Sequence, residues 1–249
     1  MIHISALVWD EISKRYYETG ISKVVLYPIR NGLYQAGVVW NGITAINEKP
    51  SGSEPTPLWA DDIKYLNLMS AEDFAATIEA YTYPDEFKPC IGQNEVIPGV
   101  VIGRQNRYPF GLCYCTKIGN DTEAVEHGYK LHVVFYCMAA PSEKDYSTVN
   151  DSPEAVTMSW EIATNTINVE GYKPIAEIVL DSRRFKKAGI LNVLRGFESI
   201  LYGTSDTDPT IPALSDFQEI YDTYMYLRDS EGELILDSEG DSFLSAVFD

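Results

Sequence analysis

The stretch "WNGITAINEKPSGSEPTPLWADDIKYLNLMS", Trp40 to Ser70, decides the architecture of this chain. Both ends read as strands. Between them, Glu48 to Asp62 carries Pro50, Pro55 and Pro57, one glycine, two serines and Trp59. Ordered domains rarely keep a loop of about fifteen residues without a use for it. The prolines stiffen it, which lowers the entropy lost on docking. Leu58 and Trp59 offer apolar anchors of the kind found at interface centres, and Asp61 and Asp62 keep the base polar. Two readings stand: a loop folded back over its own domain, or an arm that reaches a neighbouring subunit.

Outward from this excursion, most segments alternate with period two. "FAATIEAYTY" puts Phe74, Ala76, Ile78 and Ala80 on one face, with Thr77, Glu79, Tyr81 and Tyr83 on the other. "YKLHVVFYC" groups Tyr129, Leu131, Val133, Phe135 and Cys137 opposite Lys130, His132, Val134 and Tyr136. "VTMSWEI" sets Val156, Met158, Trp160 and Ile162 opposite Thr157, Ser159 and Glu161. Further strands are expected at Ser22–Ile29, Ala36–Ile46, Ile63–Met69, Phe110–Ile118 and Pro174–Asp181. Turn chemistry separates them at "RNG" (30–32), "YPDEF" (83–87), "IGND" (118–121) and "NDSPE" (150–154).

One segment departs from this pattern. "DSRRFKKAGILNVLRGFESILYG" spaces Phe185, Ala188, Leu191, Leu194, Phe197 and Leu201 as one face of a helix. Asp181 or Ser182 can cap its start and Gly203 can end it. This predicts one substantial amphipathic helix packed against a sheet. Beyond it, "YMYLRDSEGELILDSEGD" reads as short strands and tight turns, in a hairpin extension or a tail. The two "DSEG" turns lack the wider acid spacing of an EF-hand calcium loop.

Composition narrows the classes. The 249 residues suffice for one large β domain or two small ones. Abundant tyrosine, glycine and proline favour strands and turns over a helix bundle. The net charge of −18 argues against capture of nucleic acid, which needs a basic face. From Asp206 to Asp249 there are 12 acids and one base, Arg228, so this end contributes −11 of that charge. "MIHISALVWDEISK" lacks the basic start of a signal peptide, so synthesis in a reducing cytosol and free thiols at Cys90, Cys113, Cys115 and Cys137 are expected. The longest apolar run, near Leu131–Ala140, is too short to span a bilayer.

Catalytic motifs are sparse. The sequence holds three histidines, no phosphate-cradling glycine loop, no Gly-x-Ser-x-Gly elbow and no His-Glu-x-x-His. The strongest metal candidate pairs Phe110–Ile118 with Tyr129–Cys137 as a hairpin in which Leu112 and Tyr114 oppose Phe135 and Val133. Cys115 then faces His132, with Cys113 two residues along the same side. That register also sets Lys117 against Lys130, which opposes it. Small buried thiols on a strand are the simpler account. No cofactor, resident metal or catalytic residue is expected.

The segments "ALVWDE", "YYETGISKVVLYP", "VVWNGITAINEKPSGSEPTPLWADDIKYLNLMSAEDFAATIEAYTYPDEF", "PFGLCYCTKIGNDTE", "HGYKLHVVFYCMAAPSEKDYSTVNDSPEAVTMSWEI" and "ILYG" occur in this order. Together they strongly resemble the major tail proteins of long-tailed phages and prophages of Gram-positive bacteria. These are tail tube subunits. The resemblance runs from about Ala6 to Gly203, and "YLNLMSAEDF", "AYTYPDEF" and "STVNDSPEA" are its specific elements. It implies a mainly β, sandwich- or barrel-like subunit with one flanking helix and a long inter-strand loop. Six subunits form a ring, rings stack into a tube, and inner sheets join edge to edge around a lumen. Carried over here, Asn47–Asp62 is the arm to the adjacent ring, and its contact residues are Pro50, Glu54, Pro55, Pro57, Leu58 and Trp59. Ser182–Tyr202 is the flanking helix, residues 1–203 the tube domain, and residues 204–249 an acidic extension.

The resemblance implies a structural virion protein, made in the host bacterial cytoplasm, with no catalysis and no membrane partner. Its partners are copies of itself and tail proteins such as the tape measure and terminator, and DNA passes through the lumen without specific binding. An acidic wall repels phosphates within about 8 Å at physiological salt. A close variant is the inner tube of a phage-derived bacterial particle. Two other classes remain: a metal-dependent β-barrel enzyme using Cys113, Cys115 and His132, and a carbohydrate-binding β-sandwich that uses its aromatic residues as stacking platforms.

Overall fold

In a computed structural model, residues 7–52, 55–68, 72–144, 146, 148, 155–169, 171–185, 190–213 and 216–225 are described. Glu54, the turn expected at 150–154, the end of the strand expected to reach Met69, Ala188 and both "DSEG" turns lie outside them.

The β-branched and aromatic residues after Tyr16 produce a 15-residue strand, β1 (Tyr16–Arg30). Two irregularities, between Thr19 and Ile21 and between Ser22 and Val25, bend it. The turn expected at "RNG" forms, with Asn31 at φ 52 and Gly32 at φ 79, both left-handed. Asn and Gly are the residues that such a turn favours. It leads to β2 (Leu33–Tyr34). The strand expected over Ala36–Ile46 divides into β3 (Val38–Val39) and β4 (Ile43–Glu48), with Trp40 buried between them. Four short strands follow: β5 (Ser51–Gly52), β6 (Thr56–Ala60), β7 (Ile63–Leu68) and β8 (Glu72–Asp73). Then come β9 (Ala75–Ala80), a 3-10 helix at Asp85–Ile91, β10 (Asn94–Ile97) and β11 (Val100–Ile102). The long hairpin β12 (Phe110–Asn120) and β13 (Ala124–Ala139) precedes β14 (Met158–Thr164) and β15 (Glu177–Asp181). Helices α1 (Ile190–Tyr202) and α2 (Phe217–Met225) complete the described chain.

The fold is mainly β and sandwich-like. The main antiparallel sheet runs β2-β1-β12-β13-β14-β9-β4, with β3 on β1 and β15 on β13. β13 changes partner along its length: Lys130–Val134 pair with β15, and Cys137–Ala139 pair with β14. Between these parts Tyr136 has a positive φ, opposite a register shift on β12. This bulge bends the sheet, so that β14, β9 and β4 fold across the face of β1, β12 and β13.

Folding the sheet over buries one core between its halves. Val24, Leu26, Phe110, Leu112, Tyr114 and Val134 from one half meet Ala76, Ile78, Trp160 and Ile162 from the other. Phe87, on the 3-10 helix, sits inside a ring of Trp40, Phe110, Trp160 and Tyr83 with centroids between 4.4 Å and 6.1 Å away. The period-two faces expected for "FAATIEAYTY" and "VTMSWEI" hold over Phe74–Ala80 and Met158–Ile162; Tyr83, expected on the opposite face, packs against this core, and Val156 is exposed. The face expected for "YKLHVVFYC" holds through Phe135 and then fails: the Tyr136 bulge turns Cys137 into this core, away from Leu131 and Val133.

A second core covers the opposite face. Val25, Tyr27, Cys113, Cys115, Leu131, Val133, Phe135 and Leu180 lie beneath Val193, Leu194, Phe197 and Leu201 of α1. The expected helix begins later than its periodicity suggests. Ser182–Phe185 form a 3-10 turn, with the Asp181 carboxylate accepting the Arg183 amide at 3.0 Å, and the α-helix is described from Ile190. Gly203, in a left-handed conformation, ends it as expected. Ile211 and Ile220 add to this second core, and Phe217 stacks on Phe197 at 4.8 Å. The chain beyond Gly203 therefore returns to the body through a helix, and the strands and turns expected over 224–241 lie almost wholly outside the described residues.

Candidate assembly surface

The described residues of the excursion after Glu48 form a ribbon that runs past the loop expected over Asn47–Asp62. β5 pairs with β8 at its root, and β6 pairs with β7 at its tip. Asp61 and Asp62 make the two-residue reversal, with φ 52 and 60. Asp tolerates that left-handed conformation better than most residues. Pro57 lies within β6 opposite Asn67. Proline is accepted there because β6 is an edge strand. Among the described residues, β6 and β7 bond only to each other.

Every residue of β6 and β7 is exposed. Trp59, Ile63, Tyr65 and Leu68 show 68%, 63%, 69% and 56% of their surface, and Leu58 and Leu66 show 41% each. An isolated two-stranded hairpin is marginal in water, and so many exposed large apolar side chains on one ribbon point to an interaction site. Of the expected contact residues, Leu58 and Trp59 lie on β6, Pro55 immediately precedes it, and exposed Pro50 stands before β5. Glu54 lies outside the described residues. Ile63, Tyr65, Leu66 and Leu68 belong to the same ribbon, on the strand expected at Ile63–Met69.

A second ribbon was not foreseen. β10 and β11 pair around Gly99, which has a positive φ, and expose Val96, Ile97, Val100, Val101 and Ile102. The Pro98-Gly99 pair between short apolar runs is its sequence signal. Among the described residues the main sheet does not close on itself: its order ends at β2 and β4, and β15 is bonded on one side.

The candidate Cys–His cluster does not form. In the observed register Tyr114 pairs with His132 and Cys115 with Leu131, one residue from the expected pairing. Such a slip reverses which face each side chain occupies. Cys113 and Cys115 face α1, while His132 lies on the other side against Tyr114. Lys117 now pairs with Tyr129 and Lys130 with Thr116, which removes the lysine clash. All four cysteines are free and buried. Burial pushes the Cys113 and Cys90 thiols up to about 12. On the His132 side, its Nδ1 lies 2.8 Å from Glu177 Oε1, and the Tyr114 hydroxyl donates to Glu48 Oε1 at 2.6 Å.

No family model matches the chain, and no curated protein matches it. Among solved structures, the chain aligns with one in the 6-fold symmetrised cryo-EM structure of the anti-feeding prophage baseplate, at 8% identity and a TM-score of 0.30. The alignment covers 70% of this chain and 97% of the other. A likeness this slight carries no argument about assembly.

Proposed function

We propose that this chain is a non-catalytic structural subunit of a phage-type tail. In this reading it polymerises as stacked, six-membered rings into the tail tube, the conduit for DNA ejection. The observation that carries the proposal is the β6–β7 ribbon: six large apolar side chains on a two-stranded element that pairs with no other described strand. A second copy of the chain would cover that surface. The outer sides of β4 and β15, unpaired among the described residues, supply the edges through which neighbouring subunits would join. Such joining would remove an aggregation hazard. Ring closure uses head-to-tail contacts, and stacking repeats a contact along the axis. The net charge of −18 suits a lumen past which DNA slides without sticking.

The same reading places the protein in a virion tail after synthesis in the host cytoplasm, with tape measure and terminator proteins as its other partners. Replacing residues 56–68 by a short Gly-Ser turn tests it. The variant should fold as a subunit and fail to form tubes. Normal tube formation by this variant would remove the ribbon from the assembly mechanism.

A further inference from the structure

Glu48, His132 and Glu177 come from β4, β13 and β15, and their ligand atoms all lie within 4.8 Å of one another. The His132 side chain is only 10% exposed, that of Glu177 21% and that of Glu48 43%. His132 Nδ1 points at both acids, 2.8 Å from Glu177 Oε1 and 3.9 Å from Glu48 Oε1. Two carboxylates held this closely repel each other unless a positive charge stands between them.

Both His132 and Glu48 are braced. His132 Nε2 lies 3.1 Å from Thr116 Oγ1, and its ring lies flat on Tyr114, with centroids 4.6 Å apart and planes within 2°. Tyr114 in turn donates to Glu48 at 2.6 Å. Outer partners that hold a histidine ring and a carboxylate in place are the usual support of a metal ligand set.

We propose that Glu48, His132 and Glu177 bind a divalent transition-metal ion of the zinc class. One imidazole nitrogen and two carboxylate oxygens are three ligands of the kind zinc takes, with water as the fourth. The imidazole disfavours calcium and magnesium, which prefer oxygen throughout. Glu48 is the last residue of β4, three residues before β5 at the root of the ribbon. An ion joining Glu48 to β13 and β15 fastens the root of the ribbon to the body. Binding is read on the single subunit, so its failure is distinct from a failure of assembly.

The test is titration of chelator-treated, full-length protein with zinc chloride, followed by calorimetry and by competition with a chromophoric chelator. The expected result is one zinc per chain, with a thermal midpoint that rises as zinc is added. His132→Gln and Glu177→Gln should each weaken binding by about tenfold or more. Thr116→Val, which keeps all three ligands and loosens the ring, should weaken it by about tenfold. Circular dichroism checks that each variant is folded, and Thr116→Val keeps the test usable if a ligand variant is not. Absence of saturable binding to the wild-type chain, or unchanged affinity in the variants, overturns the proposal.

Discussion

Tyr114 and His132 stand opposite each other on β12 and β13, with their rings parallel to within 2° and their centroids 4.6 Å apart. This pair marks the register of the central hairpin. It sends His132 toward the acids at the root of the ribbon and the cysteines of β12 toward α1.

The thiols should therefore be inert in the native protein. Cys90, Cys113 and Cys137 are fully buried, and Cys115 is 5% exposed. Burial raises the pKa of each. That suppresses the reactive thiolate. Ellman's reagent should react negligibly at mildly alkaline pH and titrate all four thiols in guanidinium. Rapid native reaction at Cys113 would contradict the observed register.

Phe87→Ala should be among the costliest single substitutions. Its ring is fully buried among four other aromatic rings, and none of them can fill the space it leaves. A loss of about 3–5 kcal/mol is expected from urea denaturation. A loss below about 1 kcal/mol would mean that this core is looser than the geometry requires.

A chain ending at Gly203 should be less stable than the full chain. It lacks Ile211 and Ile220, which are 5% and 8% exposed, and it uncovers Phe197. Each lost aliphatic side chain removes about 1.5–3 kcal/mol of burial. A lower urea midpoint is the expected outcome. An unchanged midpoint would show that α2 adds nothing to the body.

Acid sensitivity should depend on Asp181. Hydrogen bonds from Arg183 hold its carboxyl below the ordinary carboxylate range, with burial acting in the opposite direction. A depressed folded-state value gives stability that is present above the unfolded value and is lost as pH falls through the folded one. Asp181→Asn should therefore flatten the acid limb of stability against pH and leave its neutral portion parallel to wild type. Parallel acid limbs would count against the pair.

The sequence made some elements plain and hid others for identifiable reasons. The apolar faces of β9 and β14 alternate, so Ala76, Ile78, Ala80, Trp160 and Ile162 could be read directly as buried, whereas the burial of Thr77 could not. In β13 the alternation breaks at Tyr136, a positive-φ residue with no glycine or proline to announce it, and Cys137 was assigned to the wrong side. The hairpin register was displaced by one residue because both faces of β12 are apolar, which leaves the pattern unable to choose between them. The ribbon looked like a loop because Pro55 and Pro57 read as breakers and Asp61-Asp62 is not a common hairpin turn.

The most direct test of the account is negative-stain electron microscopy paired with sedimentation velocity, on the wild-type chain and on Trp59→Ser/Tyr65→Ser, over a wide concentration range. Both side chains are more than two-thirds exposed, so the double variant should keep the wild-type unfolding midpoint. The wild type should form stacked rings and tubes as concentration rises, and the variant should remain as subunits or single rings. A wild-type chain that stays a monomer at every concentration, with the ribbon lying against its own body, would contradict the account.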